Sequence, residues 1–159
     1  MSKFDDPSLT DLGNDLRDSF YQMITDTLVL EERAAWGAVD LDRAYPLTYP
    51  GEDWVKHIDQ GSLDMSSGDL CIIGQLYGPW DEEFASIART LDQVPHDRVL
   101  TYADAERIAV LHGLFIDERD LSTIMTVHDI QMPREPLRAY AYRRLTKAWL
   151  HEIAARLEA

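Results

Sequence analysis

The chain has 159 residues, a net charge of −14, 45% hydrophobic residues and 9% aromatic residues. This length and composition predict one globular domain spanning residues 1–159 and argue against intrinsic disorder. No apolar run reaches the roughly 20 residues that a membrane helix needs, and the N-terminus shows no secretory signal pattern. With a single cysteine, Cys71, the chain cannot form an internal disulfide. We therefore expect a cytoplasmic protein without membrane contact.

The spacing of apolar residues predicts a mainly α-helical fold, a bundle of about six to eight helices with a long N-terminal and a long C-terminal helix. The first helix is predicted to start at Asp6-Pro7, a cap residue followed by proline. The pattern extends to Trp36, before Gly37. A stripe at spacings of three and four is predicted to face the core: Leu9, Leu12, Leu16, Phe20, Met23, Ile24 and Leu28.

Residues 44–53 contain Pro46, Pro50 and Gly51 and are predicted to form a loop. A short amphipathic helix over residues 52–58 is expected to follow. The segment from Ser62 to Gly78 reads SLDMSSGDLCIIGQLYG. It is predicted to be a helix over residues 69–77, capped by Ser66 or Ser67 and ended by Gly78. A buried strand at residues 70–73 is the alternative.

Pro79 is predicted to open the next helix, with an apolar face of Phe84, Ile87 and Leu91. Three further helices are predicted over residues 101–112, 117–128 and 136–157. The first of them begins with a capping-box pair, Thr101 and Asp104. The last carries an apolar stripe at spacing four: Leu137, Ala141, Leu145, Trp149, Ile153 and Leu157.

The charge is uneven along the chain. Residues 1–60 carry 13 acids and 5 bases (−8), residues 61–130 carry 13 acids and 4 bases (−9), and residues 131–159 carry 3 acids and 6 bases (+3). Nucleic-acid-binding proteins usually present a basic stripe, so we do not expect direct nucleic-acid binding. The acidic surface could bind a cationic protein partner, could only keep the protein soluble, or could imitate nucleic-acid phosphates.

Several landmarks resemble a group of small proteins, without an assigned activity, encoded by actinobacteria and their phages. They are the segments at residues 54–58, 63–67 and 71–78, the pair His112-Gly113, and residues 145–149 and 152–156. The resemblance covers under a third of the chain. In that group the cysteine often has a partner three residues earlier, where this chain has Gly68. The resemblance implies a phage or prophage context rather than an activity.

The sequence nominates no catalytic residue, no metal ligand and no cofactor. The five histidines are scattered, without metal-site spacing, and His112 near a helix end favours a simple capping role. Cys71 lies in an apolar run, where burial as a small apolar side chain is the expected state.

Two sets of residues remain as candidates. Gln75 needs hydrogen-bond partners if it is buried, and these could be loop backbone or a ligand in a pocket with Trp54, Tyr77 and Trp80. On the last helix, Arg143, Lys147 and His151 form a basic row at spacing four. This row could pair with the acidic body of the protein, an acidic partner or a second copy of the chain.

We therefore expect a non-enzymatic accessory protein of phage or prophage type, which binds a protein through its acidic surface and modulates a host or defence protein. A small-molecule-binding domain or enzyme with a pocket near Gln75 is one alternative. A nucleic-acid mimic is the other.

Overall fold

The computed structural model describes residues 7–78, 97–99 and 101–159, and this part of the chain is mainly α-helical, without a strand. The prediction of a mainly α fold is confirmed. The helix predicted to open at Pro79 lies outside the described residues. The helices are α1 (Pro7–Thr25), α2 (Leu30–Thr48), α3 (Ile72–Tyr77), α4 (Tyr102–Leu111), α5 (Glu118–Val127) and α6 (Arg134–Glu158), and short 3-10 turns lie at Asp26–Leu28, Trp54–His57 and Gln60–Ser62.

The core is built around α6, which packs most extensively against α2. Apolar residues at every fourth position of α6 have no exposed surface: Leu137, Ala141, Leu145, Trp149 and Ile153. On α2 the facing residues are small or aliphatic, among them Ala34, Ala38 and Leu41. Small residues let two helices approach closely, and Gly37 lies directly against the ring of Trp149. The predicted stripe is therefore correct except at its end, since Leu157 is half exposed.

Capping boxes begin both α4 and α5. Asp104 N donates to the Thr101 hydroxyl at 3.1 Å, and Thr101 N donates to the Asp104 carboxylate at 3.2 Å. The same reciprocal bonds join Asp117 and Asp120. Each box satisfies two backbone donors that the start of a helix leaves free. The box of Thr101 and Asp104 was predicted from the sequence, whereas that of Asp117 and Asp120 was not.

The first helix begins at Pro7, as predicted, but ends at Thr25 and not at Trp36. The chain turns at residues 26–28, and Val29 adopts a left-handed conformation with φ 47° before α2 begins. Helix α2 then passes through Gly37 and Pro46 and ends at Thr48, so the first half of the predicted loop over residues 44–53 is helical. The helix buries three residues at helical spacing, Leu41, Ala44 and Tyr45. The free energy gained by this burial exceeds the cost of the one backbone hydrogen bond that Pro46 removes near the end of the helix.

The apolar stripe of α1 is only partly buried. Ile24 is fully buried, as is Leu28 just beyond the helix, whereas Leu16, Phe20 and Met23 are 64%, 40% and 52% exposed. The opposite side of α1 faces α6 through Tyr21, whose ring stacks on Tyr140. The expectation that the whole stripe faces the core was therefore wrong for its central residues, because periodicity shows an apolar face without showing what covers it.

Helix α3 is shorter than predicted and begins only at Ile72. Cys71 is its cap residue, and the cysteine sulphur accepts a hydrogen bond from Gly74 N at 3.3 Å. Ser67, one of the two predicted caps, instead accepts bonds from Asp69 N and Leu70 N. Gly78 ends the helix with φ 92°, the left-handed region expected of it.

Candidate functional site: the acidic loop and the basic row

The loop from Asp59 to Leu70, here called the acidic loop, carries three exposed carboxylates and no basic residue. Asp59 accepts bonds from Gly61 N (3.1 Å) and the Ser62 hydroxyl (2.8 Å). Asp64 accepts bonds from Ser66 N (3.0 Å) and the Ser66 hydroxyl (2.6 Å). The third carboxylate belongs to Asp69. None of the three forms an ion pair with a basic side chain among the described residues. The loop thus holds ordered, uncompensated negative charge.

Gln75 fastens the two ends of the acidic loop. Its side-chain oxygen accepts a bond from Asp59 N at 2.6 Å, and its amide nitrogen donates to Leu70 O at 2.9 Å and to Asp59 O at 3.3 Å. Within the loop, Asp64 N donates to Leu70 O at 3.2 Å. The amide therefore bonds to loop backbone, one of the two kinds of partner expected of it, and this backbone belongs to the acidic loop. Sequence could not reveal the pairing, because Asp59 is 16 residues away.

A bond to α6 fixes the middle of the acidic loop. Met65 N donates to the Thr146 hydroxyl at 3.0 Å, and the Met65 side chain is buried in the core. The carboxylates of the loop therefore project from a segment that is tied to the core at both ends and at its centre. Such a preorganised surface loses less conformational entropy on binding than a mobile one.

Cys71 lies at the end of this loop and is buried. Its sulphur caps α3 and faces Gly68 O at 3.8 Å. A Cβ at Gly74 would lie 2.3 Å from the same Gly68 carbonyl oxygen, so the backbone is tightly packed around the thiol. The arrangement gives Cys71 a structural role. Its thiol is shielded from solvent, whereas nucleophilic cysteines are at least partly exposed.

The other residues of the predicted pocket make separate contacts. Trp54 is buried, and its indole N–H donates to Asp42 at 2.7 Å. Arg156 lies over the same ring at 5.7 Å. A cavity of about 290 Å³ opens beside these three residues, and neither Gln75 nor Tyr77 lines it. Trp80 lies outside the described residues.

Tyr77 belongs to a cluster of aromatic rings. Its ring centroid lies 5.8 Å from that of Tyr45 and 6.1 Å from that of Tyr49. Burial, with a smaller contribution from the two neighbouring tyrosines, raises the pKa of the Tyr77 hydroxyl above its ordinary value. The hydroxyl therefore stays protonated at neutral pH and is a poor candidate for a general base.

The basic row consists of Arg143, Lys147 and His151, which are exposed along one side of α6. Arg143 lies over the ring of Tyr140 at 5.6 Å. None of the three forms an ion pair with an acidic side chain that the structure describes. The row therefore differs from the other arginines of α6.

Those other arginines are paired. Arg144 binds Asp26 (2.6 Å) and Glu31 (2.8 Å), and Arg156 binds Asp42 (2.9 Å) and Glu152 (2.8 Å). Arg134 and Arg138 both bind Glu118. Arginines at other positions of α6 thus compensate part of the negative charge of the protein. The basic row has no acidic partner among the described side chains.

A buried His–Asp pair is the feature that sequence analysis missed. His112 ends α4, and its Nδ1 lies 2.7 Å from Ile108 O, which fits the expected capping role. Its Nε2 lies 2.6 Å from the Asp40 carboxylate on α2. Both ring nitrogens are engaged by neighbouring oxygens, so neither is open to a substrate or a metal ion. The two residues are 72 positions apart, and no local signal links them.

The described residues contain no group of three His, Cys, Asp or Glu side chains arranged to hold a metal ion. None of the described helices combines the length and apolar character that crossing a membrane requires. No protein-family model, curated protein or solved structure matches the chain. The arrangement of its own residues is therefore what bears on function.

Proposed function

We propose that this protein is a non-enzymatic accessory protein that binds another protein through the acidic loop. The resemblance to small proteins of actinobacteria and their phages suggests the setting, a phage or prophage product in the cytoplasm of the host cell. Modulation of a host or defence protein is the role that such a setting favours.

The observation that carries the proposal is that the acidic loop holds three carboxylates, without a cationic partner among the described residues, on a backbone fixed by hydrogen bonds. Asp59, Asp64 and Asp69 lack a cationic partner among the described side chains, whereas acids such as Glu118 and Asp42 are paired with arginines. A charged surface that only maintains solubility has no need of a fixed backbone. Here hydrogen bonds at both ends and in the middle hold the carboxylates in place.

The alternatives receive less support. The Gln75 amide is occupied by backbone, and no ligand contact is needed to satisfy it. Arginine–carboxylate pairs place both signs of charge along α6, whereas phosphate mimicry calls for rows of carboxylates. For catalysis, Cys71 is buried and both nitrogens of His112 are engaged, so neither is offered to a substrate.

Affinity purification from an actinobacterial lysate tests the proposal with two matched triple variants. In the loop variant, Asp59→Asn, Asp64→Asn and Asp69→Asn, the side-chain oxygens that cap the loop turns are retained while three charges are lost. We expect this variant to lose most of a protein partner that the wild-type chain captures at low and moderate salt, since fixed contact charges set such binding.

The control variant, Asp15→Asn, Glu32→Gln and Glu158→Gln, removes three exposed charges elsewhere. It should capture the partner as the wild-type chain does. Equal loss in both variants would show that net charge alone matters and would contradict the acidic loop as the contact. Recovery of no specific partner at either salt concentration would count against the proposal.

A further inference from the structure

The basic row and the acidic loop lie side by side on one face of the molecule. They share the wall of a shallow cavity of about 500 Å³, in which Asp64 and Ser66 stand on one side and Arg143 and Lys147 on the other. The bond from Met65 N to the Thr146 hydroxyl fixes the position of the loop against α6. This face therefore has a negative half and a positive half whose relative position is set by the fold.

The two halves do not neutralise each other within the chain. No ion pair joins Asp64 to Arg143 or Lys147, although all three line the cavity. Asp64 is committed instead to the backbone and hydroxyl of Ser66, and Arg143 lies over Tyr140. Both halves consequently keep charge that a partner could compensate.

We propose that this face binds a second copy of the chain in a two-fold symmetric dimer. In an isologous interface the same patch is used by both copies, so the patch must be complementary to itself. A half-turn about an axis between the two halves places the positive half of one copy over the negative half of the other. Asp64 of each copy then meets Lys147 and Arg143 of its partner, and two equivalent sets of contacts form.

This proposal goes beyond the proposed function, because it adds a second copy of the chain as an occupant of the face that carries the acidic loop. Each copy carries −14, and the resulting repulsion keeps the dimer weak. At about 0.15 M salt the screening length is about 8 Å, which reduces the repulsion between distant charges more than it reduces the attraction between contacting ones. The dimer is therefore expected at high protein concentration in moderate salt.

Sedimentation velocity on two single charge reversals and their mixture tests the dimer. In Lys147→Glu both symmetric contacts become acid against acid, and in Asp64→Lys they become base against base. Each variant alone should dimerise at least about tenfold more weakly than the wild-type chain. In an equimolar mixture, one of the two contacts joins the two substituted side chains, which then carry opposite charges. The other contact is the original pair of Asp64 and Lys147, so a heterodimer of wild-type strength should form.

The mixture also controls for folding, because a misfolded variant could not restore association. A wild-type chain that stays monomeric at every concentration would overturn the dimer, as would single variants that dimerise like the wild-type chain, or a mixture no stronger than its components. A monomeric chain that still captures a different protein through Asp59, Asp64 and Asp69 would remove the dimer and leave the proposed function standing.

Discussion

Replacing Gly37 with alanine is expected to destabilise the protein by about 3 kcal/mol or more, because the new methyl group has no room. A Cβ at this position would lie 2.1 Å from the backbone oxygen of His112 and 3.0 Å from two ring atoms of Trp149. The obstruction on one side is backbone, which cannot rotate away as a side chain can. Relief would require α2 to move from both α4 and α6, and with it the core they share.

Gly13→Ala is the matched control for this substitution. Gly13 also lies inside a helix, α1, and a Cβ there would have nothing within 4 Å. Alanine is the better helix former, so this change should be neutral or stabilise the protein by about 0.4–1 kcal/mol. Urea denaturation followed by circular dichroism measures both. Equal midpoints for Gly37→Ala and the wild-type chain would contradict the close packing of α2.

Trp149→Ala is expected to have the second large effect, a loss of about 3–5 kcal/mol from the cavity and the lost contacts. Trp149 has no exposed surface, and its ring meets that of Trp54 edge to face with centroids 5.9 Å apart. Its indole N–H donates to Gly113 O at 2.7 Å, so the substitution also leaves a buried carbonyl without its partner. Since whole domains are stable by only about 5–15 kcal/mol, this loss removes a large part of the free energy of unfolding and should lower the melting temperature clearly.

Trp36→Ala tests whether burial, rather than tryptophan content, sets that cost. Trp36 lies on α2 with 62% of its surface exposed, so its loss should change the free energy of unfolding by about 0.5 kcal/mol or less. Thermal melting of the two variants beside the wild-type chain makes the comparison. Similar melting temperatures for Trp36→Ala and Trp149→Ala would show that α6 is not the centre of the core.

Elements specified by local chemistry could be predicted from the sequence. The pairs that begin α4 and α5 lie three residues apart, and their hydrogen bonds depend on nothing distant. The buried stripe of α6 follows from spacing alone, because a long helix at the centre of a core must bury one side. The basic row was predictable for the same reason, since its three members stand four residues apart on that helix.

Features set by packing could not be predicted in this way. Val29 ends one helix and starts another in a left-handed conformation, for which a β-branched residue gives no local signal. Glycine and proline usually interrupt helices, yet here Gly37 lies against the ring of Trp149 and Pro46 falls within the last turn. The role of Gly37 depends on α6, which lies far along the chain.

The candidate site likewise has one property that could be predicted from the sequence and one that could not. The charge of the acidic loop is visible in the sequence, which has no base from Ile58 to Gly78. Its fixed shape is not, because that depends on Gln75 and Thr146, which lie outside the loop. The sequence led instead to a candidate pocket of Trp54, Gln75, Tyr77 and Trp80. In the structure Trp54 and Gln75 have different hydrogen-bond partners.

Whether the acidic loop contacts a protein is tested most directly by photo-cross-linking from Gly68. This residue is exposed within the loop, and a Cβ there would have nothing within 4 Å, so a photoreactive amino acid can be introduced without disturbing its surroundings. Gly13 offers an equally open control position away from the loop. Irradiation in an actinobacterial host should give a protein adduct from position 68 and none from position 13. No adduct from position 68, or equal adducts from both positions, would contradict binding through the acidic loop.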